Sequence, residues 1–152
     1  SIMKSPSLFE KYFPHLALRT TSVSHWSVGE HIDHTLNVLI TIDEGLSKST
    51  PWEKRESFKL LKSIVLFTGF IPRGKGKSPE KVLPSKKIEA EDLIKKIKSA
   101  ELALLNMNKC DPGCWVIHPV FGALQAKNTR RFMDIHTNHH LKIIEDIIKS
   151  VK

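Results

Sequence analysis

Between Arg130 and Ile147 the apolar residues return with the period of an α-helix, and two histidines fall inside that period. At about 100° per residue, Phe132, Ile143, Ile144 and Ile147 define an apolar arc, and His136 and His140 lie within it. Asp134, Thr137, Glu145 and Asp146 lie mostly elsewhere, and His139 sits at the arc's edge. A lone histidine on an apolar face is more often a satisfied core residue than a ligand. Two at i and i+4 are different, because this spacing aims both rings at one point on one face. Protonated together they would repel, so a shared cation is the economical explanation. The residue after His136 is Thr137 and no Glu separates the pair, so this is not the HExxH of metalloproteases.

A helix that buries such an arc needs other helices to bury it against, and the rest of the chain supplies them. Leu8, Phe9, Tyr12, Phe13, Leu16 and Leu18 fit a first short helix over 5–18, interrupted near Pro14. Ser24 or Ser27 can cap a second helix, with Glu30 completing a capping box from Ser27; it runs through Val28, Ile32, Leu36, Leu39, Ile42 and Leu46 and carries His31 and His34. Pro51 at the first helical position starts a third, burying Phe58, Leu61, Ile64, Val65, Leu66 and Phe67 and stopping at Gly69. Residues 71–85 are a loop, broken by Pro72, Gly74, Gly76, Pro79 and Pro84. A fourth helix spans about 86–107, a second loop runs from Asn108 to Phe121, and the last helix covers 125–150. No strand alternation and no internal repeat is evident. The expected fold is all-α: four main helices and a shorter one, in a single domain over 1–152. Bundles of this kind build metal sites in the core from facing helices.

Composition narrows the function classes. The chain has 152 residues, 40% hydrophobic and 26% charged, as in an ordinary globular domain. No apolar run approaches the ~18 residues of a membrane span, and Ser1-Ile2-Met3-Lys4-Ser5 lacks the apolar core of a signal peptide. A cytoplasmic location is the default expectation, with Ser1-Ile2 read as a remnant ahead of a native start at Met3. The net charge of +8 admits anionic partners, but the lysines are spread and interleaved with acids, so no nucleic acid is expected. Cys110 and Cys114, in Cys-Asp-Pro-Gly-Cys, read as two small residues in a turn, because no second Cys or His pair stands at zinc-ribbon spacing. Gly69 to Lys75 imitates a phosphate-binding loop, yet Gly76 occupies the Ser/Thr position and a helix precedes it, so nucleotide binding is rejected.

A divalent ion wants at least three protein ligands, and His31 and His34 compete for the third place. On a helical wheel His31 lies inside the apolar arc and His34 beside it, toward Asn37 and Thr41, so periodicity alone prefers His31. The motifs read together give another answer. Trp26-Ser27-Val28-Gly29-Glu30-His31-Ile32-Asp33-His34, followed by His136-Thr137-Asn138-His139-His140, resembles the DinB-like superfamily: a Trp, a His eight residues on, and a C-terminal HxxxH(H). His118-Pro119-Val120-Phe121-Gly122 and the loop Ile71-Pro72-Arg73-Gly74-Lys75-Gly76-Lys77 are similar to an uncharacterised branch of that superfamily.

The resemblance implies a DinB-like four-helix bundle holding a divalent metal, such as zinc, nickel or iron, on His34, His136 and His140. It implies a metal-dependent enzyme resembling thiol-dependent S-transferases, a maleylpyruvate isomerase or metal-dependent hydrolases, with a low-molecular-weight thiol as a conceivable second cofactor. No catalytic residue is assigned: Glu30, Asp33 and Asp43 are the acids nearest in sequence, and none stands out as a general base. The alternative is a non-catalytic bundle, metal-pinned or metal-free, acting as a binding or structural protein. His118 reads equally well as a further ligand, as a polar group lining the opening, or as a loop histidine fixing its own backbone. Arg73, Lys75 and Lys77 read as a solvated loop or, less readily, as a basic lip for an anionic small-molecule substrate. Bundles of this type often pair, which makes a homodimer an expectation of type.

Overall fold

The computed structural model describes residues 3–74 and 76–152. Ser1 and Ile2, read as a remnant, and Lys75, read as part of a basic lip, lie outside the described residues.

The first ordered element is a 3-10 helix, Pro6–His15, with Pro6 at its start and Ser5 accepting the Ser7 N–H. Phe9 and Tyr12 are its buried residues beside Pro6, and the Tyr12 hydroxyl reaches Glu145 at 3.3 Å. Next comes α1, Val28–Lys48, which starts where the capping box was expected. Ser27 Oγ accepts the Glu30 N–H at 3.1 Å, and Glu30 accepts the Ser27 N–H at 2.8 Å. Two orphan donors are satisfied reciprocally, which fixes the helix start. Helix α1 packs on α3 (Ala90–Lys109) and on α4 (Ala126–Ser150). Between them lies the core: Ile32 and Leu36 of α1, Leu93 and Met107 of α3, and Met133, Ile144 and Ile147 of α4 are fully buried. The chain is mainly helical, as its periodicity requires.

Two expectations need correction. The third helix is nine residues, α2 (Leu60–Thr68), and does not start at Pro51. The preceding segment is held sideways instead. Trp52 adopts a left-handed turn (φ 66°) and donates its N–H to Gly113 O at 2.9 Å, while Trp115 Nε1 donates to Thr50 O at 2.9 Å. Glu56 accepts from the Gln125 N–H at 2.9 Å, from Asn128 Nδ2 at 3.0 Å, and from buried Lys62 at 3.0 Å. A helix through 51–59 would have to surrender these bonds. The stop at Gly69 is where it was expected, in the left-handed conformation (φ 69°) that favours glycine.

The burial assigned to this helix was also wrong. Val65 is its one buried apolar side chain, while Phe58, Leu61, Ile64 and Phe67 are 80, 51, 48 and 89% exposed.

The second correction concerns the loop after α3, which contains an antiparallel hairpin. Strands β1 (Trp115–His118) and β2 (Gly122–Gln125) pair with Val116 opposite Leu124 and Ile117 opposite Ala123. Gly122 supplies the positive φ (70°) that closes the turn. Each strand has four residues, too few for alternation to register against the flanking Cys and Pro. Leu124 is fully buried, so the hairpin roofs the end of the core where α4 begins.

Candidate metal centre

Helix α1 directs His31 and His34 toward α4, which presents His136 and His140 one turn apart. All four are buried, at 3, 2, 9 and 7% exposure. Nitrogens of His34, His136 and His140 form one cluster, all within 4.8 Å of one another. His34 Nε2 lies 3.3 Å from His136 Nε2, and His140 Nε2 lies 3.2 Å from His136 Nε2. His31 stands one ring further out: its Nδ1 meets His140 Nδ1 at 2.9 Å, on the side of that imidazole facing away from the cluster. The wheel places His31 on the buried arc, and the structure buries both histidines, because α1 is covered on more than one side and its apolar arc has no single direction.

The hydrogen bonds constrain the protons. His34 Nδ1 lies 2.8 Å from the Val82 carbonyl, which can only accept, so the His34 proton is on Nδ1 and its Nε2 carries a lone pair. Among the described residues His136 Nδ1 is buried without a partner, so the polar interactions of that ring with them are confined to Nε2. Three Nε2 atoms converge with too few hydrogens to satisfy them all. Burial is the first cause that pushes these imidazoles well below their usual pKa, and the neighbouring histidines add to it for His136 and His140. For His34 burial also dominates, opposed by the Val82 carbonyl and Asp33. The rings are therefore neutral at pH 7, the state in which imidazole binds metal.

The donor set fits a divalent ion. Zn–N bonds of about 2.0–2.1 Å at tetrahedral angles place neighbouring nitrogens about 3.3–3.4 Å apart; two of the three separations are 3.3 and 3.2 Å, and all lie within 4.8 Å. One ring proton can bridge one facing pair as N–H···N, but His136 Nε2 is common to both contacts, so without a cation the second contact is left without a proton of its own.

The walls are aromatic. Half-buried Trp26 contacts His34 (centroids 4.9 Å), His31 (5.3 Å) and His140 (6.3 Å, stacked). Phe132 lies 5.5 Å from His136 and packs edge-on to His118 and Phe121. His118 takes the third of its readings: its Nδ1 accepts the Val120 and Phe121 N–H groups at 3.0 and 3.1 Å, fixing the hairpin turn, and it is not in the nitrogen cluster. Burial pushes it down to about 4. His139 packs edge-on against His140, and burial, then the Arg73 charge, push it down to about 4.

The three nearby acids are engaged elsewhere. Glu30 closes the capping box and pairs with Arg19, Asp33 holds Lys96 and the Ser85 N–H, and Asp43 accepts from Asn106. Sequence reasoning missed Val82, because a backbone carbonyl from a loop leaves no signal in the residue type. Ser24, the other candidate cap, instead hydrogen-bonds His31 Nε2 at 2.8 Å, while Ser27 caps the helix.

With the geometry in place, the chain can be set against known proteins. A family model described as a protein of unknown function (DUF1569) matches residues 15–147, and the chain belongs to that family. No curated protein and no solved structure matches it.

Proposed function

We propose that this member of the DUF1569 family is a divalent-metal protein, with the ion held by His34, His136 and His140. We read the chain as a single domain and a four-helix bundle of DinB-like type, and the metal as serving an enzyme. The observation that carries this reading is the convergence of three neutral imidazoles inside the core, with two of the three nitrogen separations at coordination spacing and all within 4.8 Å. His136 Nε2 is common to both short contacts and cannot donate to one neighbour while accepting from the other, and an ion that accepts all three lone pairs resolves that conflict.

Three protein ligands leave room for a further one, the arrangement of catalytic rather than structural sites. When bound, a divalent ion supplies Lewis-acid chemistry, lowering the pKa of a water or thiol toward neutrality. The chain's own residues supply the setting. The Val82 carbonyl orients His34, while Trp26 and Phe132 exclude water from two sides. A thiol-dependent S-transferase and a metal-dependent hydrolase both use such a setting. Arg73, paired with Asp146 of α4 at 2.8 Å, is the cation beside His139, and a small anionic substrate that competes with Asp146 for it is part of this reading.

The competing reading is a non-catalytic site that pins α1 to α4. Its support is the burial of all three imidazoles below 10% exposure. Cobalt(II) substitution separates the two. An open site gives a new sulfur-to-cobalt charge-transfer band when a small thiol is added, and a closed one leaves the visible spectrum unchanged. A band would be followed by screens of thiol-transfer and ester substrates.

A further inference from the structure

Each buried imidazole of a metal cluster must present the correct nitrogen, and two of the three here differ in how that is arranged. His34 is fixed by a carbonyl, which only accepts. His140 faces another imidazole, His31, Nδ1 to Nδ1 at 2.9 Å, and an imidazole can either accept or donate. The outer side of His31 then matters. Its Nε2 lies 2.8 Å from Ser24 Oγ, which also accepts the Trp26 N–H at 3.1 Å. This chain of contacts leads from the loop before α1 to the innermost nitrogens, and each link is buried or partly buried.

Resting on the metal reading above, we propose that His31 is a positioning residue that sets the tautomer of His140 through a Ser24–His31–His140 relay. His140 Nδ1–H donates to His31 Nδ1, and His31 Nε2–H donates to Ser24 Oγ. The His140 lone pair is thereby placed on Nε2, beside those of His34 and His136. The opposite direction is also available to Ser24, whose hydroxyl can donate. It would put the His140 proton on Nε2, 3.2 Å from His136 Nε2, where it blocks a ligand position. An ion on His140 Nε2 selects the first direction, and His31 is the acceptor that direction needs. Partners of this kind orient a ligand ring and raise its basicity, and their loss costs about 10–100-fold in metal affinity.

Trp26 reinforces the arrangement. Its ring packs against His31, His34 and His140 and covers one side of the relay. The role also accounts for a buried histidine on the apolar arc of α1 that lies outside the nitrogen cluster. Asp33 and Glu30, on the same helix, are engaged by Lys96 and by the capping box, so neither supplies the acceptor instead.

The test is zinc affinity by competition with a chromophoric chelator, together with long-range 1H–15N NMR of the imidazoles, on the full chain. His31→Phe keeps a ring but removes the acceptor, whereas His31→Asn places an amide oxygen near the position of Nδ1. Expected are one zinc in the wild type, about 10–100-fold weaker binding in His31→Phe, and recovery to within a few-fold in His31→Asn. The zinc-loaded wild type should show His140 protonated at Nδ1. Equal affinity in His31→Phe and wild type would overturn the proposal, as would an Asn variant that folds but binds as weakly as the Phe variant. A wild type that takes up no zinc would instead overturn the metal reading beneath it.

Discussion

Two regions of this molecule invert the usual partition of side chains, in opposite directions. Around α1 and α4, four imidazoles are buried where aliphatics would be expected. On α2 and its flanks, Phe58, Leu60, Phe67 and Phe70 are at least 66% exposed where burial would be expected. The difference lies in what each region does with its polar groups. In the buried region nearly every polar atom has a partner: Val82 O, His31, Ser24, or another imidazole. The α2 region is anchored by very little apolar burial and by an ionic clasp, Lys62 with Glu56 and the Ser57 carbonyl. Buried imidazoles with converging nitrogens form a group that could hold a metal ion. Exposed apolarity on a short, clasped helix does not by itself name a task.

That contrast can be broken experimentally at both ends. The largest effect belongs to the cluster: His34→Ala and His136→Ala should each weaken metal binding by more than the roughly 100-fold that marks the loss of an outer partner, read by chelator competition. At the clasp, Glu56→Ala strands the Lys62 ammonium, which is 6% exposed. A buried charge left without its partner costs about 3 kcal/mol, to be read as a lowered denaturant midpoint. Burial pushes the Glu56 carboxyl up, but bonds from Gln125, Asn128 and Lys62 outweigh it and hold the carboxyl below its usual value.

Acid should then unfold the metal-free protein gradually. His31 is pushed down to about 3, and His118 and His139 to about 4, in each case chiefly by burial. The unfolded chain takes up these protons near pH 6.5 and the folded chain resists, so the unfolded state binds more protons across that interval. Stability is therefore fully present above pH 6.5 and falls as pH drops toward 4, by up to about 1.4 kcal/mol per pH unit for each histidine. Denaturant midpoints measured in EDTA from pH 7.5 to 4.5 check the sign. The smallest effect is expected at Phe67→Ser, within about 0.5 kcal/mol of wild type, because an 89% exposed ring has little packing to lose. A cost of several kcal/mol there would mean that the ring is covered in solution.

The same contrast explains what could be read from the sequence. The long helices were legible because period and caps agree, as in the Ser27–Glu30 box of α1. The His136–His140 pair was legible because i, i+4 spacing fixes a common face whatever the fold. That His34 and not His31 lies in the nitrogen cluster is not legible from periodicity, since it depends on where α4 crosses α1. Helix α2 was misjudged because an apolar run reports what a helix can bury, not whether a partner is there to cover it. Its start was misjudged because the bonds holding 51–59 come from Gly113, Trp115, Gln125 and Asn128, more than fifty residues away. The hairpin escaped notice because four-residue strands carry too little pattern.

The most direct test is native mass spectrometry of protein purified without a histidine tag and reconstituted with zinc, beside His34→Ala and His136→Ala. One ion in the wild type and none in either variant is the expected result. A wild type that holds no ion, or a His34→Ala variant that keeps one, would contradict a metal centre built from α1 and α4.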